Sequence, residues 1–147
     1  MRVIDVERLH DIRLTLPDPS AIAGVAQLLA RAHVNIDSVC CEAADRAGAV
    51  TCRLLVSDGP GAQRTLAAAG VAHEMHDVAA FTLQNRPGTL AAVVAALNTA
   101  EVRIDFLYQA TMKGLVIGAA DVEAVIRALF DAQDNDTTQA VGLAATG

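Results

Sequence analysis

Residues Asp18 to Glu42 recur without a gap as Arg86 to Ala110, at an offset of 68 positions. Pro19, Ala23, Val25, Leu29, Ala32, Val34, Ile36 and Asp37 meet Pro87, Ala91, Val93, Leu97, Ala100, Val102, Ile104 and Asp105. The shared positions are those that a loop, a helix start and an inward-facing strand need, which marks a duplicated structural unit. The chain is therefore read as two versions of one small unit.

In the first version, Leu9, Ile12, Leu14 and Leu16 lead into Leu16-Pro17-Asp18-Pro19, where a strand should end and a helix begin. Asp18 is expected to cap the free amides and Pro19 to take the first helical position. Ile22, Val25 and Leu29 put one apolar stripe on a helix of about four turns that stops near His33. Val34 to Cys41 follows as a strand whose alternation slips by one, which predicts a bulge near Asp37. Asp45 to Gly48 reads as a hairpin turn, and Val50, Cys52, Leu54 and Val56 alternate on the return strand. An alanine-rich helix ending at Gly70 and a strand over Val71 to Asp77 complete the unit.

The second version runs in the same order. Val78 to Gln84 is a strand, Asn85-Arg86-Pro87-Gly88 a turn, and Leu90, Val93, Val94 and Leu97 the stripe of a helix. Strands follow around Val102 to Leu107 and Leu115 to Ile117, and Val122, Val125, Ile126 and Leu129 mark the last helix. The expected fold is α+β, a two-layer sandwich of tandem ferredoxin-like βαββαβ units, each an antiparallel sheet with two helices on one face. The expected divisions are residues 1–77, 78–133 and a tail, 134–147, that is either disordered or supplies the missing fourth strand at Gln139 to Ala144.

At 53% hydrophobic, 147 residues suffice for one ordinary domain or two small ones sharing a core. No stretch is long and apolar enough for a membrane span, and Met1 to Asp5 lacks the basic and hydrophobic regions of a secretory signal, so a cytoplasmic location is expected. A net charge of -6, with Lys113 the only lysine, disfavours nucleic acid and anionic lipid as partners. Three cysteines form neither an even framework nor a Cys-x-x-Cys pair. A turn centred between Arg46 and Ala47 sets Cys41 opposite Cys52, where buried thiol packing is the expected state, with Cys40 on the other face. His73 and His76, three apart, fall on opposite sides of a strand, so no metal site is expected. No Gly-rich phosphate loop, nucleophile elbow or Ser/Cys-His pairing is present, and neither a catalytic residue nor a cofactor is assigned.

The loop at Asn85 has the chemistry of a small-ligand site. Pro87 removes a donor that a helix start leaves unpaired, Gly88 lets a molecule approach, and the exposed amides with the positive helix end suit a carboxylate. Asn85 both donates and accepts, which suits a zwitterion; the same residues also make a good turn and cap.

Asn85-Arg86-Pro87-Gly88-Thr89-Leu90, followed by Val102-Arg103-Ile104-Asp105, resembles the Asn-x-Pro-Gly-x-Leu and Val-Asn-Ile pattern of ACT domains, regulatory modules attached to many amino-acid metabolic enzymes. Residues of roughly 8 to 132 are similar to two such units, as in stand-alone tandem ACT proteins. The resemblance implies a non-catalytic amino-acid sensor in which one unit's loop faces the start of a neighbour's second strand. The loop Asn lies in the second unit and the strand Asn in the first. One good site is thus expected from Asn85, Arg86, Pro87, Gly88, Thr89 and Leu90 with Asn35 and Ile36. A degenerate one is expected from Pro17, Asp18, Ser20 and Ile22 with Arg103 and Ile104, since Pro17 and Arg103 replace the asparagines. Phe106 and Tyr108, out of phase with Ile104 and Leu107, predict a homodimer packed through the face away from the helices. An amino-acid metabolic enzyme is the expected further partner. Assembly without a metabolite is the alternative, favoured by the glycine-less first loop; scarce aromatics disfavour an RNA-binding sheet, and no residue set supports an enzyme.

Overall fold

The computed structural model describes residues 1–144, with side chains through Thr137. Its elements are β1 (Val3–Leu16), α1 (Ala21–Arg31), β2 (Ser38–Ala43), β3 (Val50–Val56), α2 (Gly59–Ala68), β4 (Glu74–Leu83), α3 (Thr89–Thr99), β5 (Phe106–Ala110), β6 (Gly114–Gly118) and α4 (Val122–Ala144). Two compact units share them. The first holds Arg8–Val78 with Ala110–Met112, and the second holds residues 1–7, 79–109 and those from Lys113 on.

The first unit is βαββαβ, with strand order β2-β3-β1-β4. β1 pairs antiparallel with β3 from His10↔Val56 to Leu16↔Val50, and β2 with β3 from Ser38↔Leu55 to Ala43↔Val50. Period-two alternation sends Ile12, Leu14, Leu16, Val50, Cys52, Leu54 and Val56 to the helix side, where Val25, Leu29, Ala62 and Leu66 close the core. Asp58 starts α2 by accepting the Gly61 amide at 2.9 Å, with Pro60 in the first turn.

In the second unit the order is β1-β4-β6-β5, and Ala79, Phe81, Leu115 and Ile117 meet Val93, Leu97, Val125 and Leu129. Its closing strand comes from the start of the chain. Val3 is buried in this core, Met1 and Val6 pack against it, and the Gln84 amide donates to the Arg2 carbonyl at 3.2 Å. The fourth strand expected at Gln139 to Ala144 is instead helix, since α4 runs through Ala144; residues 145–147 lie outside the described residues. Polar groups hold this extension in place. The amino terminus of Met1 pairs with Asp136 at 2.8 Å, and the Val3 amide donates to Gln133 Oε1. The strands expected on either side of Asp77 are one continuous strand, β4, which the unit boundary crosses after Val78.

The repeat extends to single hydrogen bonds. Val34 donates to Leu29 O and Val102 to Leu97 O, each at 2.9 Å, and the residues before them, His33 and Glu101, are left-handed at φ 58° and 55°. This is the Schellman end of a helix, made twice without glycine. It also explains why Val34, Ile36, Val102 and Ile104 precede their strands rather than joining them. Their segment first completes the helix end, and pairing starts where Asp37 N meets Leu55 O at 2.8 Å and Asp105 N meets Gly118 O at 2.9 Å.

The hairpin register sets Cys41 opposite Cys52 as expected, but the pair is a disulfide, with Cα atoms 4.2 Å apart, rather than two packed thiols. Facing positions on adjacent strands bring the two side chains onto one side of the sheet, within bonding reach. Cys40 is free and exposed. Closing this short loop restricts the unfolded chain, so reduction is expected to lower stability by about 2–3 kcal/mol. Denaturant melts of Cys40→Ser with and without a dithiol check this, the substitution preventing exchange.

Candidate functional site

The loop after β4 is exposed from Gln84 to Gly88. Gly88 sits at φ 91°, a left-handed position that favours glycine, and a Cβ built there would meet nothing within 4 Å. α3 starts at Thr89 with no side chain capping it. Thr89 turns its hydroxyl back to Gln84 O at 2.9 Å and its amide to Arg86 O at 3.2 Å, while Ala92 N makes the bond to Gly88 O at 3.0 Å. Between these, helix geometry leaves the amides of Leu90 and Ala91 without intrahelical acceptors. Open space, free donors and the positive helix end therefore coincide at Gly88, with Asn85 and Arg86 beside them in sequence. The Leu90 side chain is itself 53% exposed.

The equivalent loop of the first unit is built differently. Asp18 Oδ1 accepts the Ser20 amide at 2.7 Å and the Ser20 hydroxyl at 2.5 Å, and these two bonds hold its carboxyl below the usual carboxylate range. Ala21 N and Ile22 N bond back to Asp18 O and Pro19 O, so the helix opens at Ala21 rather than at Pro19. The cause is the turn that an Asp side chain makes with the amide two residues on. A fixed anion thus stands two residues before Ser20, the counterpart of Gly88 in the repeat, and the first amides of α1 bond back to the turn. Pro17, Asp18, Pro19 and Ser20 are all exposed.

The remaining predicted residues lie before the second strand of each unit. Asn35 Nδ2 donates to Asp37 Oδ1 at 2.9 Å, and Asp37 Oδ2 accepts the Ser57 hydroxyl at 2.7 Å. In the second unit Arg103 faces Asp105 at 3.7 Å, and Ile104 packs on the core. Ile22 and Ile36, expected at different sites, line one cavity of about 260 Å³ in the first unit, together with Leu14, Leu16, Ala26 and Val39. Sequence patterning did not point to this cavity. It opens because β2, at the sheet edge, leaves Val39 54% exposed.

A buried ion pair was also missed. Asp11 is fully buried, and Arg53 Nη1 reaches its Oδ1 at 2.6 Å, across the pairing of β1 with β3. The signal was weak, because β1 carries Asp5, Glu7, Arg8, His10 and Arg13 as well and nothing in its pattern singles out Asp11 as buried. His73 Nδ1 lies 2.8 Å from Val71 O and His76 Nε2 3.6 Å from Glu74, and no cluster among the described residues has the makings of a metal site. No helix among them is long and apolar enough to cross a membrane.

Among solved structures, protein BT0572 from Bacteroides thetaiotaomicron is similar at a TM-score of 0.72 and 24% identity, over 87% of this chain and 90% of that one. The ligand-free regulatory subunit of aspartate kinase from Thermus thermophilus is similar at 0.60 and 21% identity, over 88% and 97%. The aspartokinase alpha and beta subunits are similar at 0.64 and 15% identity, over 90% and 99%. At these identities the likeness is one of fold. No curated protein matches by sequence. Residues 17–133, well over half of the chain, match the family described as an ACT domain pair. The chain belongs to the ACT domain pair family.

Proposed function

We propose that this ACT pair is a regulatory module without catalytic function of its own, that it binds an amino acid at the start of α3, and that binding changes its own assembly or a partner enzyme of amino-acid metabolism. The observation that carries the reading is the contrast between the two loops. Gly88 leaves open space over the start of α3, whereas in the first unit Ser20 takes the matching position and Asp18, two residues before it, holds a carboxylate against it; neither helix start has a side-chain cap. A ligand carboxylate is favoured by free amides and the helix dipole and opposed by a fixed anion.

Asn85 and Arg86 are assigned to the ligand's polar groups, Pro87, Gly88, Thr89 and Leu90 to the wall, and Asn35 with Ile36 to the complementary element. Pro17, Asp18, Ser20 and Ile22 with Arg103 and Ile104 form the degenerate counterpart. ACT units pair within a chain or between chains, and the reading includes a homodimer packed through Phe106 and Tyr108, whose rings stack at 6.3 Å. The likeness to aspartate kinase regulatory subunits supports a regulatory role. A ligand shifts such an assembly only by its differential affinity for the two arrangements.

The test is calorimetric titration of an amino acid. One molecule per chain is expected, with affinity reduced about tenfold in Asn85→Ala at unchanged melting temperature, through loss of about 1.4 kcal/mol of hydrogen bonding. Two equal sites per chain, or unchanged affinity in Asn85→Ala, contradicts the assignment. An assembly subunit without a metabolite is the second reading, favoured by the self-satisfied Asp18 loop.

A further inference from the structure

The two ACT units hold their edge strands by different means. In the second unit β5 is held by packing: Phe106, Leu107 and Tyr108 are half-buried, Leu107 packs on the core, and the Phe106 ring fills the space over Gly118 on β6. In the first unit no residue of β2 is buried, and Val39 is 54% exposed beside the cavity between α1 and β2. What ties β2 to its neighbour is the main-chain ladder with β3 and one covalent bond, Cys41–Cys52. The repeat carries that bond in one copy only. Gln109 lies 68 positions after Cys41, and Leu115 stands before Gly118 as Cys52 stands before Leu55, the residues whose carbonyls accept the amides of Asp105 and Asp37. A hairpin of this fold thus forms with Gln and Leu at these places and does not require a disulfide.

The two sulfurs differ in access. Cys52 is 1% exposed, whereas Cys41 is exposed. Cys52 also lines the cavity of about 260 Å³, so the bond borders open space rather than packed side chains. A thiolate from outside therefore attacks Cys41 Sγ. It bonds to Cys41, the Sγ–Sγ bond breaks, and Cys52 leaves as a thiolate that takes up a proton. The second thiol of a dithiol then displaces the first from Cys41. Two electrons and two protons end on Cys41 and Cys52, and the dithiol ends as a disulfide. The reverse exchange, with a disulfide as oxidant, restores the bond.

We propose that Cys41–Cys52 is a reversible redox latch on edge strand β2, opened by a dithiol and closed by a disulfide of the same class. Reduction leaves β2 with its ladder alone, and a strand with few buried contacts is the kind of element that opens locally. The release ends at Asp37, whose amide donates to Leu55 O at 2.8 Å and whose carboxylate accepts the Ser57 hydroxyl at 2.7 Å. The latch controls access to the main chain of β3 and to the cavity wall at Val39. It belongs to the first unit alone and does not depend on the loop at Asn85.

Main-chain geometry supplies the readout. Ala44 N donates to Ala49 O at 2.8 Å, and antiparallel pairs alternate, so Glu42↔Thr51 and Cys40↔Arg53 are the hydrogen-bonded pairs between β2 and β3. The Thr51 and Arg53 amides face β2, while those of Cys52 and Leu54 face β1. The experiment is amide hydrogen exchange on the full chain carrying Cys40→Ser, which blocks internal thiol exchange, in the oxidised form and in excess dithiol. On reduction, exchange at Thr51 and Arg53 is expected to rise about tenfold or more relative to Cys52 and Leu54, and to fall back on reoxidation. Equal acceleration of both sets would mean that the bond adds only global stability and would overturn the latch. So would a reduced chain that circular dichroism shows to be unfolded, because the bond would then be a staple of the whole fold. Brief treatment with the monothiol glutathione, followed by mass spectrometry, is expected to place the mixed disulfide on Cys41; attachment at Cys52 contradicts the proposed order of exchange.

Discussion

Arg53→Ala is expected to destabilise the protein by about 3–5 kcal/mol, a large part of the about 5–15 kcal/mol that holds a domain of this kind together. Asp11 is fully buried, and Arg53 Nη1 pairs with its Oδ1 at 2.6 Å. Removing the guanidinium takes an ion-pair partner from a carboxylate in a site that water does not reach, and desolvation makes that loss costly. The companion variant Asp11→Leu/Arg53→Met removes both charges at similar volume and should recover most of the stability, because a buried pair gains little over well-packed apolar residues. Urea unfolding of the three proteins checks this. If the double variant is no more stable than Arg53→Ala, the loss comes from packing around the arginine stem rather than from the broken ion pair.

Gly114→Ala carries the other large expected effect, about 2–5 kcal/mol. Gly114 lies at φ 75°, and a Cβ there would stand 2.1 Å from Phe81 O, in the backbone of β4. The left-handed conformation contributes about 1–2 kcal/mol for any L side chain. Overpacking adds about 1–3 kcal/mol, since strand backbone cannot rotate aside as a side chain would. Gly88→Ala is the control, because its φ is 91° while its Cβ would meet nothing within 4 Å. It should pay the conformational cost alone and lose less. Equal losses at the two glycines, measured by thermal unfolding, would show that the close approach to Phe81 contributes nothing.

The order of elements was legible because the 68-residue repeat and the apolar periodicities of Ile22, Val25, Leu29 and of Val93, Leu97 are local signals. The Cys41–Cys52 register was legible from the hairpin turn alone. Features set by distant residues were not. Val3 closes the second core although Ala79 opens the main part of that unit, and period-two patterning gives no hint of which sheet a terminal strand joins. The same blindness sent the missing strand to Gln139–Ala144, where α4 continues with Asp136 and Gln133 bonded to Met1 and Val3. At the site, the Asn85–Gly88 turn and its uncapped helix were foreseeable from residue types. The Asp18–Ser20 turn and the Asn35–Asp37 bond were not, because short polar side chains choose among several nearby partners.

The central claim is that the open helix start at Gly88 recognises an amino acid. A thermal-shift screen of the protein against the twenty amino acids tests it most directly, because a ligand that binds the folded state raises the melting temperature by mass action. The account predicts a rise with one or two amino acids that is lost in Asn85→Ala and kept in Asp18→Asn. No rise with any amino acid at millimolar concentration, or a rise that Asn85→Ala leaves untouched, would contradict it.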